Sequence, residues 1–249
     1  MRKRSFGRSL GRWVAGAAGV SAAAYGAYAG VTWLRYGRAS HPAGSDDPLL
    51  DQFMREYDVA ERHQTVVDAP ADVTFQAASE LDFRRSPLIS AIFKAREMIM
   101  RAQPARADVP RSFLDQMRSI GWGELYHEPG RLVVMGAVTQ PWMADVVFRA
   151  LPPERFAPFA EPGYVKILWT LSAVPIETRS SALPQSVFRT ETRAWPTDPV
   201  ARAKFRRYWS VASPGIILIR RLALGLTKED AERRAVATRT EQWPAIANS

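Results

Sequence analysis

The chain has 249 residues, of which 47% are apolar, and its net charge is +9. This length and apolar content allow a domain with a sizeable core and exclude a chain that is disordered by composition. It contains no cysteine, which excludes disulfides, thiolate nucleophiles and cysteine-ligated metals. Seven basic residues and no acidic ones lie in residues 1–38, so residues 39–249 carry only +2 and lack the basic field of a nucleic-acid-binding domain.

The first predicted element is an uncharged stretch from Trp13 to Leu34 that follows a basic segment, residues 1–12. As a helix its 22 residues extend about 33 Å, enough to cross a hydrocarbon core of about 30 Å. We therefore expect a single transmembrane anchor over residues 13–34, with the basic segment in the cytoplasm and the following domain outside it. The alternatives are an export signal that is cleaved after Ala29 and a buried helix of a soluble fold.

A linker and the first half of the folded domain follow. Residues 35–58 are rich in turn formers and predict the linker, in which LLDQFMREYDV is compatible with a short helix. The stretch ERHQTVV predicts a first strand, and a turn then leads to a helix around Val73–Glu80. Ser86 is the predicted N-cap of the next helix, SPLISAIFKAREMIM, and a further helix is predicted over Arg111–Ile120.

The apolar pattern then changes to a period of two residues, which is typical of antiparallel strands. GELYHEPGRLVVMGAV predicts a hairpin that turns at Pro129-Gly130, and YVKILWTLSAVP and SVFRTETRAWP predict two more strands. On the last strand Arg189, Glu191 and Arg193 share one face, which predicts a solvent-exposed charge ladder.

The last predicted element is a long helix that begins in DPVARAKF and bends near Pro214-Gly215. Thr227 is predicted to cap a separate short helix within a C-terminal segment, residues 227–249. The order of strand, helices, several strands and long helix predicts an α+β fold, with the domain over residues 59–226.

Two stretches carry a resemblance to a known family. ERHQTVVDAPADVTFQAASELD resembles the opening strand, turn and helix of the START-like helix-grip superfamily, the SRPBCC or polyketide cyclase-like proteins. ETRAWPTDPVARAKFRRYWSVASPG resembles its last strand and grip helix, and the resemblance as a whole, to a bacterial branch, covers residues 58–225. It implies a curved antiparallel sheet wrapped around the long C-terminal helix, with an apolar cavity between them that binds lipids, polyketides or other hydrophobic molecules. No catalytic motif spans the superfamily, so the resemblance implies no catalytic residue.

The candidate site residues come from the strands and from the grip helix that would line this expected cavity. Glu61 and His63 lie two apart on the first strand and therefore share a face, where they could anchor a polar ligand head or act in acid–base chemistry. The alternative interpretation is that Glu61 and His63 lie on a strand face that is exposed to solvent. The full set of candidate ligand-binding residues is Glu61, His63, Trp169, Thr190, Thr192, Phe205, Tyr208 and Trp209.

The leading hypothesis is a membrane-tethered binding protein for a hydrophobic small molecule or lipid. The alternatives are a cyclase- or aromatase-like enzyme that uses Glu61 and His63, and a non-catalytic scaffold whose cavity is filled by side chains. The three histidines lack a metal-binding spacing, and the usual nucleotide-binding and serine-hydrolase motifs are absent from the sequence. We therefore expect no metal, no cofactor and no nucleic-acid partner.

Overall fold

The computed structural model describes residues 24–32, 34, 47–101, 110, 112–177 and 184–246. The strands are β1 (Val59–Val67), β2 (Gly123–Glu128), β3 (Leu132–Thr139), β4 (Phe148–Arg149), β5 (Val165–Ile176) and β6 (Gln185–Pro196). The helices after residue 47 are α1 (Pro48–Phe53), α2 (Ala71–Ser79), α3 (Pro87–Met100), α4 (Phe113–Ser119), α5 (Pro153–Phe156) and α6 (Pro199–Ile246), with a 3-10 turn at Phe83–Arg85. An N-terminal helical segment, residues 24–32, precedes them.

The strands form one antiparallel sheet in the order β1-β6-β5-β3-β2, with β4 paired to the end of β3. The predicted hairpin is confirmed, and Gly130 has the positive φ of 73° that the third position of a type II turn requires. The α+β class, the antiparallel sheet and the long C-terminal helix are therefore confirmed.

The helices begin where the sequence indicates, but the last one does not end there. The Ser86 hydroxyl accepts a hydrogen bond from the Ile89 amide at 3.3 Å and caps α3, as predicted. The prediction of a separate helix capped by Thr227 is wrong, because α6 continues through that residue to Ile246. Thr227 is only 1% exposed, and Leu224, Ala231 and Ala235 continue the same buried stripe, so packing on the core extends the helix.

Both faces of the sheet are covered by apolar side chains. The inner face packs against α2 and α6 through a cluster that includes Phe75, Trp169, Phe188 and Leu224. The outer face packs against α1 and α5 through a second cluster, whose buried members are Leu50, Met54, Tyr57, Leu125, Val134, Phe156 and Leu168. Residues 48–57, which the sequence places in the linker, thus form part of the outer layer.

This outer layer overturns the predicted charge ladder on β6. Arg189 is exposed as expected, but Glu191 is only 3% exposed and Arg193 is fully buried. The Arg193 guanidinium donates to the Asp51 carboxylate at 2.5 Å and to the Glu191 carboxylate at 3.0 Å. Arg62 of β1 donates to Glu191 at 2.7 Å and completes the network. The alternating pattern was read correctly, but the sequence does not show that α1 lies over it.

Among the described helices, α6 is the one long and apolar enough to cross a membrane by its composition, over Pro199–Thr240. The predicted anchor falls mostly outside the described residues, as do the basic segment 1–12 and residues 35–46. In the part that is described, the hydroxyl of Tyr25 in the N-terminal helical segment donates to the backbone carbonyl of Val211 on α6.

Candidate functional site

The strand register brings five of the sequence-predicted residues together on the inner face. His63 pairs with Thr190 and Glu61 with Thr192 across β1 and β6, while Trp169 of β5 lies opposite Thr192. Residues directly opposite each other in antiparallel strands point to the same face, so all five side chains face the α2 and α6 layer. These side chains make the inner face polar over β1 and β6 in an otherwise apolar layer.

His63 has an unusual environment within this group. Its Nε2 lies 3.7 Å from the Glu61 carboxylate, and in the part of the chain that the structure describes this buried nitrogen has no hydrogen-bond partner. Burial, with the nearby Arg220 guanidinium, lowers the pKa of His63 below its ordinary value of 6.5, and the Glu61 carboxylate only partly opposes this. The imidazole is therefore neutral at pH 7 and able to accept a proton or a hydrogen bond.

The candidate site residue that sequence reasoning missed is Arg220 on α6. Its guanidinium donates to the Thr192 hydroxyl at 2.6 Å and more weakly to the Glu61 backbone carbonyl at 3.5 Å. Burial lowers the pKa of Arg220 to about 10, a shift that the Glu61 carboxylate opposes, so the side chain keeps its charge at neutral pH. The available signal was an arginine pair inside the apolar run GIILIRRLALGL, but only the packing of α6 along β1 shows which arginine points inward.

We use the term polar patch for Glu61, His63, Thr190, Thr192 and Arg220. Thr190 lies in the middle of the sheet, with β1 on one side and β5 on the other, yet it keeps partial exposure. Ile167, which also faces inward from β5, is partly exposed as well. Both residues have neighbouring strands on each side, so their exposure shows that the helices on the inner face cover them incompletely.

Trp169 belongs to a filled region instead. Its ring centroid lies 5.2 Å from that of Phe113 and 5.9 Å from that of Trp122. Phe113 in turn contacts Phe83, so an aromatic cluster covers the inner face of the sheet next to α4. These rings form an aromatic wall beside the polar patch, in which Trp169 is 8% exposed.

The three candidates from the start of α6 are placed elsewhere. Phe205 and Trp209 are buried against Val59 and Ala194 at one end of the sheet, and Tyr208 packs at the edge of this cluster. Trp209 precedes Arg220 by eleven residues, which is about 16 Å along a helix. The structure therefore separates these aromatic residues from the polar patch and puts them in the core next to it.

Within the described residues, no group of three histidine, aspartate or glutamate side chains is arranged to hold a metal ion.

Comparison with known proteins gives only distant matches. No family model matches the chain, and no curated protein does. Among solved structures it is similar to the di-domain ARO/CYC BexL from the BE-7585A biosynthetic pathway, with 14% identity and a TM-score of 0.27, covering 70% of this chain but only 46% of BexL. It is also similar to the Zhui aromatase/cyclase from Streptomyces sp. R1128, with 15% identity and a TM-score of 0.23, covering 71% of this chain and 94% of that one.

Both matched proteins are described as aromatase/cyclases. Neither protein's activity transfers to this chain at these identities and TM-scores.

Proposed function

We propose that this protein binds a hydrophobic small molecule or lipid in the space between the inner face of the sheet and α6. The observation that carries the proposal is the partial exposure of Thr190, which lies between β1 and β5 on the inner face and is covered incompletely by the helices there. Binding sites for small molecules are mostly apolar, with a few polar groups that fix the orientation of the ligand. The polar patch and the aromatic wall around Trp169 supply these two components.

The experiment is purification of the full chain from its native host in mild detergent, followed by mass spectrometry of the small molecules that remain bound. Thr190→Phe fills the space from the middle of the sheet and should abolish co-purification. Arg189→Phe places the same ring on the exposed outer face of the same strand and should preserve it. No ligand from the parent chain, or equal retention by both variants, would favour the scaffold with a filled cavity.

The proposal includes a membrane tether over residues 13–34, with the amino terminus in the cytoplasm and the domain outside. Support comes from the sequence of this segment, whose 22 residues carry no charge, are long enough to cross a hydrocarbon core and follow a basic stretch. The test is alkaline extraction of membranes combined with reporter fusions at the carboxyl terminus. A chain released by alkali but present outside the cytoplasm would instead indicate cleavage after Ala29.

A specific observation also favours a second function, a cyclase- or aromatase-like enzyme. The neutral His63 has a buried, unbonded Nε2 beside the Glu61 carboxylate, and such a nitrogen can take a proton from a bound substrate. Once a ligand is known, His63→Ala should abolish its turnover but retain its binding if His63 is the base. Unchanged turnover in this variant would exclude the role.

A further inference from the structure

We infer that the ligand carries one anionic head, a carboxylate or a similar oxyanion, that binds the Arg220 guanidinium. The inference rests on the proposed function and specifies which hydrophobic molecules the space accepts. It depends on a feature of the polar patch that apolar binding alone does not require, a partly buried cation that makes no salt bridge with a carboxylate of the described residues.

The hydrogen bonds of Arg220 go to neutral acceptors, and the nearby Glu61 carboxylate only partly offsets the cost of burying its charge. An arginine presents five N–H donors, and the two acceptors that the structure gives this one are a hydroxyl and a backbone carbonyl, both neutral. Among the described residues, no carboxylate oxygen lies within 4.0 Å of this guanidinium. A buried charge is costly unless an opposite charge and hydrogen bonds compensate for it. A carboxylate in the adjacent space would accept two parallel bonds from the guanidinium and supply the missing charge.

The other charged groups around the patch are consistent with a single anion. His63 and Arg221 add positive or potentially positive charge near Arg220, and the Glu61 carboxylate adds one negative charge on the side of His63. Arg221 is exposed to solvent, so water screens its charge and it attracts an anion at the patch only weakly. A second anion would find no further buried cation among the described groups that face the patch.

The polarity of the patch also places the rest of the ligand. Ile167 and the aromatic wall at Trp169 border the patch on the β5 side, so the apolar body of the ligand lies over β5 while its head lies under α6. A molecule with an anionic head at one end and a ring or chain of a few ångströms beyond it would contact both Arg220 and the apolar surface over β5. A neutral hydrocarbon would leave Arg220 buried beside an apolar group.

The test compares two probes of equal size, 2-naphthoate and 2-naphthylmethanol, which share a ring and differ in the charge of the head. Their binding to the full chain in nanodiscs of zwitterionic lipid is measured by calorimetry. We expect 2-naphthoate to bind at least tenfold more tightly than the alcohol. Arg220→Met should lose at least tenfold affinity for 2-naphthoate and change the affinity for the alcohol by less than about threefold. Arg220→Lys should retain part of the preference.

Arg221→Met is the matched control, since it removes the neighbouring exposed charge and should change the affinity of either probe by less than about threefold. Should Arg220→Met fail to fold, Thr192→Val decides the question, because it removes the hydroxyl that positions the guanidinium and should weaken 2-naphthoate selectively. Equal binding of the two probes, unaffected by Arg220→Met, would overturn the anionic head and leave the proposed function standing. Binding of neither probe, together with no co-purified molecule, would overturn both.

Discussion

Replacing Arg193 tests how the segment before β1 is attached to the sheet. This side chain is fully buried, and its guanidinium donates to the Asp51 carboxylate at 2.5 Å, to the Met54 carbonyl at 2.9 Å and to the Glu191 carboxylate at 3.0 Å. It also lies 4.8 Å from the centroid of the Tyr57 ring. We expect Arg193→Met to lower the free energy of unfolding by about 3–5 kcal/mol.

The magnitude follows from what the substitution leaves behind. Glu191 is 3% exposed and, among the described residues, would keep Arg62 as its one charged partner. Asp51 of α1 and the Met54 carbonyl that follows this helix would lose their hydrogen bonds from Arg193. Removing one partner of a buried ion pair costs about 3–5 kcal/mol, because the other charge stays in a poorly solvated site. Methionine fills most of the arginine volume, so the cavity contribution is small. The double variant with Glu191→Gln should cost less than the sum of the two single changes by about 1–3 kcal/mol.

The assay is urea unfolding of the full chain in detergent, at constant salt, followed by tryptophan fluorescence. The control is Arg118→Met, whose side chain is 43% exposed and pairs with Asp115 and Glu124 on the surface, so that its loss should cost below about 1 kcal/mol. An Arg193→Met variant as stable as this control would refute the reasoning, since α1 would then be held by apolar packing alone.

Three further substitutions test the packing at single positions. Burial lowers the pKa of Lys166 to about 8 from its ordinary value of 10.5, so in that pH range the unfolded chain binds more protons and the native state gains stability as pH rises. Lys166→Met should be about 1–3 kcal/mol more stable than the parent at pH 7, and its stability should no longer rise with pH. The control Lys204→Met changes an exposed lysine and should keep the rise in stability with pH. An unchanged pH profile in Lys166→Met would contradict the lowered pKa of Lys166. Gly136→Ala places a Cβ 2.5 Å from Leu125 Cδ1 and should lower the stability measured by thermal unfolding by about 1–3 kcal/mol. Unchanged stability would mean that the neighbouring side chains move aside without cost. Gly225→Ala meets no atom within 4 Å and should add about 0.5–1 kcal/mol, so a loss of stability would indicate a contact that the structure does not contain.

The sequence predicted much of the fold because its local signals act over a few residues. Alternation along SVFRTETRAWP identified β6 and its two faces, and the Pro129-Gly130 turn identified the β2–β3 hairpin. The same signals did not show which face is covered. The alternation of Glu191 and Arg193 is typical of a solvent-exposed face. Here α1, which lies more than a hundred residues earlier in the chain, covers both side chains.

The candidate site was predicted in part for the same reason. Glu61 and His63 were identified because a strand puts residues two apart on one face, and the register then added Thr190 and Thr192 beside them. Arg220 was missed because its role depends on the rotation and position of α6 relative to β1. Phe205, Tyr208 and Trp209 were predicted on the correct helix, but the structure places them near its start, where Trp209 is about 16 Å along the helix from Arg220.

By itself the sequence determined the order of strands and helices, the α+β class and the pair of polar residues at the head of β1, because propensity, periodicity and capping are written in neighbouring residues. The tertiary structure alone decided that the outer face is a second core, that α6 continues past Thr227 and that Arg220 joins the polar patch. Those features depend on contacts between segments far apart in the chain, and the free energy of burial at such contacts exceeds the local preferences that a sequence displays.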